Sequence, residues 1–425
     1  MARIVFTGAN LLDGASPARP GTAVVVEGER IAQVGPDGSL APQPGDRVLA
    51  LAGRTLMPGM ASCHFHATFE GATLDLFPLG MDQPAGILML RAARNVRRAL
   101  ECGFTSLVGA GGGDDVDAQL ATAIEQGLIP GPRLLPCSRN LGTTSGYIDL
   151  EPWWYRMGNL GACRLADGPE EFRRAVREEC KRGARMIKLF VTGGHGNVRA
   201  GTREFSREEL AAVVETAHAR GARVRAHCAW KPAILECVEL GVDVIDHGDE
   251  LDAQCIEAMA EAGTFFAPSA LYLEKLLAFE PLRDAPGFAA AREATARELA
   301  NLRRWLPAAE AAGVRIVLGD DYGTILMPHG TYAEELEFYV KGMGFAPLVV
   351  LRWATRNGAA LLGREHELGA VLPGRIADLL VVDGDPSVDV GVLGDERRLV
   401  AVTKGGVFVK QSGAWEPNSP RPATS

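Results

Sequence analysis

Apolar and polar positions divide the chain into two kinds of text. At both ends they alternate in short runs broken by Gly and Asp: "ARIVFTGANLLDG", "TAVVVEGERIAQVG" and "RVLALAGRTLMPG" at the start, "GRIADLLVVDGD" and "RLVAVTKGGVFVK" near the finish. Such runs predict strands and turns, and the two ends together predict one small β-sandwich domain. The middle has a different rhythm. In "EEFRRAVREECKRGARMIKLFVTGG" a stretch with apolar residues three and four apart is followed by a glycine and then by a continuous apolar run. That is an amphipathic helix, a glycine just past its end, and a buried strand. The same order recurs around Gly103, Gly183, Gly221, Gly241, Gly263 and Gly313. Consecutive helix-to-strand units of this kind build parallel sheet, and so many of them predict a closed (β/α)8 TIM barrel. An open doubly wound sheet is the alternative, weakened because no G-x-G-x-x-G follows a first strand. The expected organisation is residues 1–57 and 365–415 as the two parts of the β-sandwich domain, 58–364 as the barrel, and 416–425 as a frayed tail.

Composition narrows the function classes. The 425 residues are 47% hydrophobic and 23% charged, with a net charge of −9, as in an ordinary globular enzyme. An acidic balance argues against nucleic acid or an anionic membrane as the main partner; the expected partner is a small-molecule substrate. No stretch approaches the roughly 18 apolar residues of a membrane span, and the first residues lack the apolar core of a signal peptide. The 8 cysteines are scattered, with no C-x-x-C pair, which reads as reduced thiols in a cytoplasmic protein.

Barrel chemistry gathers where strands end. The first central strand ends in "CHFHA", which puts His64 and His66 on one face. "RVRAHC" ends near His227, "VDVIDHG" at His247 and "VRIVLGDDYG" at Asp320 and Asp321; Lys188 lies inside the apolar "MIKLF". A single strand-end histidine is most often a satisfied core residue. An inward lysine is costly unless paired or modified, and the joint occurrence on five strands makes the bland explanation a poor one.

With those residues, "MPGMASCHFHA", "MIKLFVTGG", "RAHC", "VIDHG", "LGDDYGT", "MPHGTYAEELEF" and "GAVLPGRIADLLVVDGDP" stand in the order seen in the amidohydrolase superfamily of metal-dependent hydrolases, and the chain resembles that family over nearly its whole length. The resemblance is greatest to the branch of Xaa-Pro dipeptidases, imidazolonepropionase-like proteins and hydrolases of phenylureas and carbamates. It implies two divalent ions, zinc by preference, held by His64, His66, His227, His247, Asp321 and a CO2-derived carbamate on Lys188. It implies that Asp321 shuttles the proton in hydrolysis of a C–N bond by metal-activated hydroxide, with His247 and His329 as further catalytic-site residues. Register with Gly319 and Gly323 selects Asp321, although Asp320 stands where the family often has Thr. Homo-oligomers are common among such relatives.

Three features bear on the substrate. The segment from Arg139 to Arg164 reads as a long irregular loop carrying Trp153, Trp154 and Tyr155. Trp230 follows His227 closely and points to a flat or aromatic substrate, while His195, Arg199 and Arg203 after the "TGG" turn suit a carboxylate or carbonyl; Tyr322 is a further pocket candidate. The expected substrate is an N-acyl amino acid or Xaa-Pro-type dipeptide, with an aromatic urea, carbamate or amide as the alternative. A cyclic-amide hydrolase or deaminase fits less well, because deaminases of this superfamily usually lack the lysine. A catalytically dead scaffold fits least, since the whole ligand set is present.

Overall fold

The computed structural model describes residues 3–71, 83–149, 154, 161–196, 201–280 and 288–412. The two chain ends meet in one eight-stranded sheet. Ile4–Leu11, Arg19–Glu27, Arg30–Pro36, Arg47–Ala50 and Thr55–Pro58 come from the first segment, and Leu379–Val382, Leu399–Lys404 and Val407–Gln411 from the last. The seam is antiparallel, with Leu380 opposite Met57 and Val381 opposite Leu56. Alternation gives this sheet its own core, in which Phe6, Val24, Leu49, Leu56, Leu379 and Val381 are buried together.

The central strands are all parallel: Met60–Phe65, Phe104–Gly109, Arg133–Leu135 with Cys137–Gly142, Met186–Phe190, Arg223–Cys228, Val244–His247, Phe265–Ala267 and Arg315–Ile316. The third is split at Pro136. Its first half pairs with the second strand and its second half with the fourth. Proline has no N–H for the ladder, and its carbonyl instead accepts from Arg185 and Met186. The ring closes where the Cys63 N–H donates to the Leu318 carbonyl at 2.7 Å and Phe65 bridges to Tyr322. This is a TIM barrel carrying a small β-sandwich-type domain. The six joining glycines all have positive φ, between 68° and 108°, which is where a residue without Cβ turns the chain at least cost. The segment expected to be loop from Arg139 is strand as far as Gly142 and strand again at Cys163–Leu165, which pairs with it. Among the described residues no helix is long and apolar enough to cross a membrane.

Candidate metal centre

The first strand sorts its side chains by alternation. Cys63 and Phe65 are buried in apolar clusters, so His64 and His66 emerge on the opposite face, into the mouth of the barrel. His66 Nδ1 donates to the Gly111 carbonyl at 2.8 Å, which leaves its Nε2 lone pair forward. Phe69 stacks on its ring at 4.3 Å. His64 Nε2 lies 3.0 Å, and His66 Nε2 3.4 Å, from the same oxygen, Asp321 Oδ1. Burial pushes the His64 imidazole down to about 4 despite the nearby carboxylates. At neutral pH it is therefore a neutral ring with a free lone pair.

His227 and His247, from the fifth and sixth strands, complete the cluster. Their ring centroids are 4.4 Å apart, and His247 is 5.3 Å from His64. His247 has φ 73°, a left-handed conformation that a β-carbon makes strained. Burial, and then neighbouring cationic groups, hold both imidazoles well below their ordinary value. His227 Nε2 and His247 Nδ1 are buried without a hydrogen-bond partner. Buried polar atoms are rarely left so. Neutral imidazoles facing a carboxylate form a donor set that suits a divalent ion.

Beneath them lies a second polar layer. Asp246 accepts from Lys188 Nζ at 2.7 Å and from Arg225 Nε at 3.0 Å and Nη2 at 2.5 Å. Its Oδ1 is 3.5 Å from His64 Nδ1. Arg225 also donates to the Cys63 and Gly109 carbonyls, both at 2.8 Å. This one side chain thus ties the fifth strand to the first, second and sixth. Burial raises the Asp246 carboxyl, but Arg225 and Lys188 outweigh it and hold the group far below the usual carboxylate range. Burial lowers the Lys188 ammonium in spite of Asp246.

The two aspartates at the last strand have different environments. Asp321 reaches the histidines, and His64 and His66 hold its carboxyl well down against burial. Asp320 is wholly buried; its oxygens accept from the Asp321 and Tyr272 N–H groups at 2.8 and 3.0 Å. Burial, then Asp321, raises it to about 7. Near both lies His195, whose Nδ1 is 3.0 Å from Asp249 Oδ1 and whose Nε2 is 3.9 Å from Asp321 Oδ2. Its ring stacks on His247 at 3.8 Å. Burial lowers the His195 imidazole, but Asp249 outweighs this and raises it to about 9. Among the described residues, two groups of three side chains converge closely enough to hold an ion: His64, His247 and Asp321, and His195, Asp320 and Asp321. Asp321 belongs to both.

A family model described as "Amidohydrolase family" matches residues 55–409, most of the chain. The protein belongs to that family. This amidohydrolase is 29% identical over 435 residues to ochratoxinase from Aspergillus niger, covering 96% of this chain and 87% of that enzyme. It is 28% identical to imidazolonepropionase from Streptomyces avermitilis, covering 88% and 84%. Among solved structures it is similar to a prolidase complexed with N-methylphosphonate-L-proline, with a TM-score of 0.85, 30% identity and coverage of 97% and 100%. Together with the clustered histidines and aspartates, the family makes it a metal-dependent hydrolase acting on C–N bonds, in the branch that includes Xaa-Pro dipeptidase, imidazolonepropionase and ochratoxinase-like enzymes.

Other residues singled out in the amidohydrolase sequence lie in varied places. His329 does not hydrogen-bond Asp321. Its Nδ1 is 3.0 Å from the Tyr332 hydroxyl, which donates to it, and its Nε2 donates to the Phe69 carbonyl at 3.2 Å, so it braces the turn after His66. Tyr322 points the other way from Asp321. It is fully buried, with its hydroxyl donating to the Tyr332 carbonyl at 3.3 Å and its ring edge-on to Tyr332. Trp230 packs partly buried against the main core at the head of helix Lys231–Glu239. Trp154 is 72% exposed, while Arg199, Trp153 and Tyr155 lie outside the described residues. Arg203 is paired with Glu236. Sequence reasoning missed Asp246, Arg225 and Asp249. The signal was present for two of them: a charge inside an otherwise apolar strand, in "RVRAHC" and in "VDVIDHG".

Proposed function

We propose that this amidohydrolase is a binuclear metal enzyme that cleaves the amide bond of a small N-acyl amino acid or Xaa-Pro-type dipeptide. The observation that carries the binuclear part is that four strand-end histidines gather around Asp321, with His227 Nε2 and His247 Nδ1 buried and unmatched beside the His64 and His66 pair. His64, His66 and Asp321 would hold one ion, His227 and His247 the other, with Lys188, as its CO2 carbamate, bridging them. Two such ions supply a water acidic enough to act near neutral pH and polarise the scissile carbonyl. The side chains do the rest. Asp321, with one carboxylate oxygen toward His64 and His66, accepts the proton of the attacking water and returns it to the leaving nitrogen. His66, fixed by the Gly111 carbonyl, and His64, beside Asp246, keep their lone pairs aimed. Asp246 and Arg225 set the depth of Lys188. Cys63 and Cys228 stay buried as thiols, with burial raising both above their ordinary value, so no covalent intermediate is invoked.

Similarity to the prolidase bound to N-methylphosphonate-L-proline and to a Xaa-Pro dipeptidase with bound methionine supports an amide next to an amino acid. Aromatic rings against the histidines support an aromatic acyl half, and keep aryl ureas and carbamates as the second reading. Phe190 stacks on His227 at 4.5 Å, and Tyr147 on the same ring at 6.0 Å. The test is metal content per chain, with hydrolysis of a panel of Xaa-Pro dipeptides, N-acyl amino acids, aryl carbamates and phenylureas. Two ions per chain, falling to one or none in Lys188→Ala with activity lost, is the expected result. One ion, unchanged in that variant, would remove the carbamate bridge.

A further inference from the structure

The pair formed by His195 and Asp249 is absent from the chemistry above, yet the fold is built around it. His195 sits in a left-handed conformation, φ 59°, between Gly194 at 108° and Gly196 at 85°. Such strain persists only where surrounding contacts enforce it. Three contacts do so here. Asp249, itself buried, holds Nδ1. His247 and Tyr272 stack on the ring. The long helix Phe288–Ala311 ties down both loops: Glu298 Oε2 accepts from the Gly196 N–H at 2.7 Å, and Asn301 Nδ2 donates to the Asp249 carbonyl at 2.8 Å. What all this fixes in place is His195 Nε2, which is buried, has no hydrogen-bond partner, and points toward the Asp321 Oδ2 side of the site.

We propose that His195, locked by Asp249, is a specificity-determining residue that hydrogen-bonds the carboxylate on the carbon bearing the leaving nitrogen. The inference rests on the amide-hydrolase reading: Asp321 returns its proton to the leaving nitrogen, so the group nearest Asp321 Oδ2 belongs to the amine half. In dipeptides and N-acyl amino acids the polar group common to every amine half is its α-carboxylate. A preorganised ring nitrogen discriminates strongly against a substrate lacking the matching group, because the nitrogen is then left buried and unpaired.

The experiment compares an N-acyl amino acid with the corresponding N-acyl alkylamine, which lacks the carboxylate, as substrates of the metal-loaded enzyme. His195→Phe keeps a flat ring for the stack and removes Nε2; Asp249→Asn keeps the shape and weakens the lock. The preference for the acid over the amine, as a ratio of kcat/KM, is expected to fall about 10- to 100-fold in His195→Phe and less in Asp249→Asn. The dissociation constant of the free amino-acid product rises in parallel. Metal content stays at the wild-type value in both variants. A fall in bound metal in His195→Phe overturns the proposal and makes His195 an ion ligand with Asp320 and Asp321. An unchanged preference ratio with metal retained also overturns it, leaving a packing role. A wild-type enzyme that hydrolyses neither compound overturns the amide-hydrolase reading first, and this role with it.

Discussion

Two polar layers cross the barrel, two residues apart on the fifth strand and one on the sixth, and they are finished differently. In the lower layer every charge is met. Asp246 receives Lys188 and Arg225, and Arg225 also reaches the Cys63 and Gly109 carbonyls. In the upper layer, among the described residues, His195 Nε2, His227 Nε2 and His247 Nδ1 are all buried and unmatched. Satisfied buried networks are rigid, and unsatisfied ones are costly. The lower layer therefore fixes the geometry, and the upper one stores binding capacity for an ion or substrate. Consecutive residues divide the labour: Asp246 belongs to the floor and His247, turned by its left-handed backbone, to the site.

The comparison breaks most sharply at Asp321, the residue through which the upper layer acts. Asp321→Asn keeps the size of the side chain and removes the base. We expect kcat to fall about 10⁴-fold, about 5.4 kcal/mol of transition-state stabilisation, with the melting temperature little changed. Activity within tenfold of wild type in a steady-state assay would assign the base elsewhere, Asp320 being first in line. The lower layer should fail in the opposite way. Arg225→Ala removes the guanidinium that holds Asp246 through two hydrogen bonds, and breaking a buried pair of this kind costs about 3–5 kcal/mol. Urea or thermal unfolding measures it. A loss below about 1 kcal/mol would mean that the floor is not the scaffold of the site.

The two layers also differ in how much of them the sequence reveals. His64, His66, Lys188, His227, His247 and Asp321 are legible because each interrupts or ends an apolar strand, and the structure brings their side chains into one region. The glycine joins are legible because a helix C-terminus before a buried strand leaves few alternatives. The lower layer hides in the same strands. Arg225 and Asp246 look like isolated charges until the cross-strand register sets Arg225 opposite Val244 and places Asp246 two residues on, opposite His227. His195 and Asp249 are harder still, since their meeting depends on two loops and a strained backbone. Tyr322 and His329 are expected at the site from their neighbourhood in the sequence, and the structure adds where their side chains are held. Alternation past Asp321 buries the first, and hydrogen bonds to Tyr332 and Phe69 occupy the second.

His329 gives a smaller test of the difference between matched and unmatched histidines. Burial lowers its pKa from 6.5 to about 4. Between those values the unfolded chain binds more protons than the folded one, so stability rises with pH across the window. The contribution is complete above about pH 6.5 and is lost as pH falls toward 4, by about 3 kcal/mol. In metal-free protein, His329→Asn should flatten the slope of stability against pH between 4 and 6.5 by close to one proton. An unchanged slope in denaturation curves across that range would show that the ring titrates normally in the folded chain.

The smallest effect should come from outside both layers. Helix Arg207–His218 opens with a capping box, in which Ser206 accepts from the Glu209 N–H and the Glu209 side chain accepts from the Ser206 N–H. Glu209 also receives the Gly168 N–H at 2.7 Å, joining this helix to the start of its neighbour, Pro169–Arg182. Ser206→Ala removes one cap bond, which costs about 1 kcal/mol. Neither helix contributes a side chain to the upper or lower layer, so kcat/KM and metal content should stay at the wild-type value while the unfolding midpoint shifts. That separation gives the other variants their meaning. If Ser206→Ala lowered activity in proportion to stability, the losses in Arg225→Ala could be read as general loosening. If it does not, a loss of activity there that exceeds the fraction unfolded belongs to the floor beneath the metal centre.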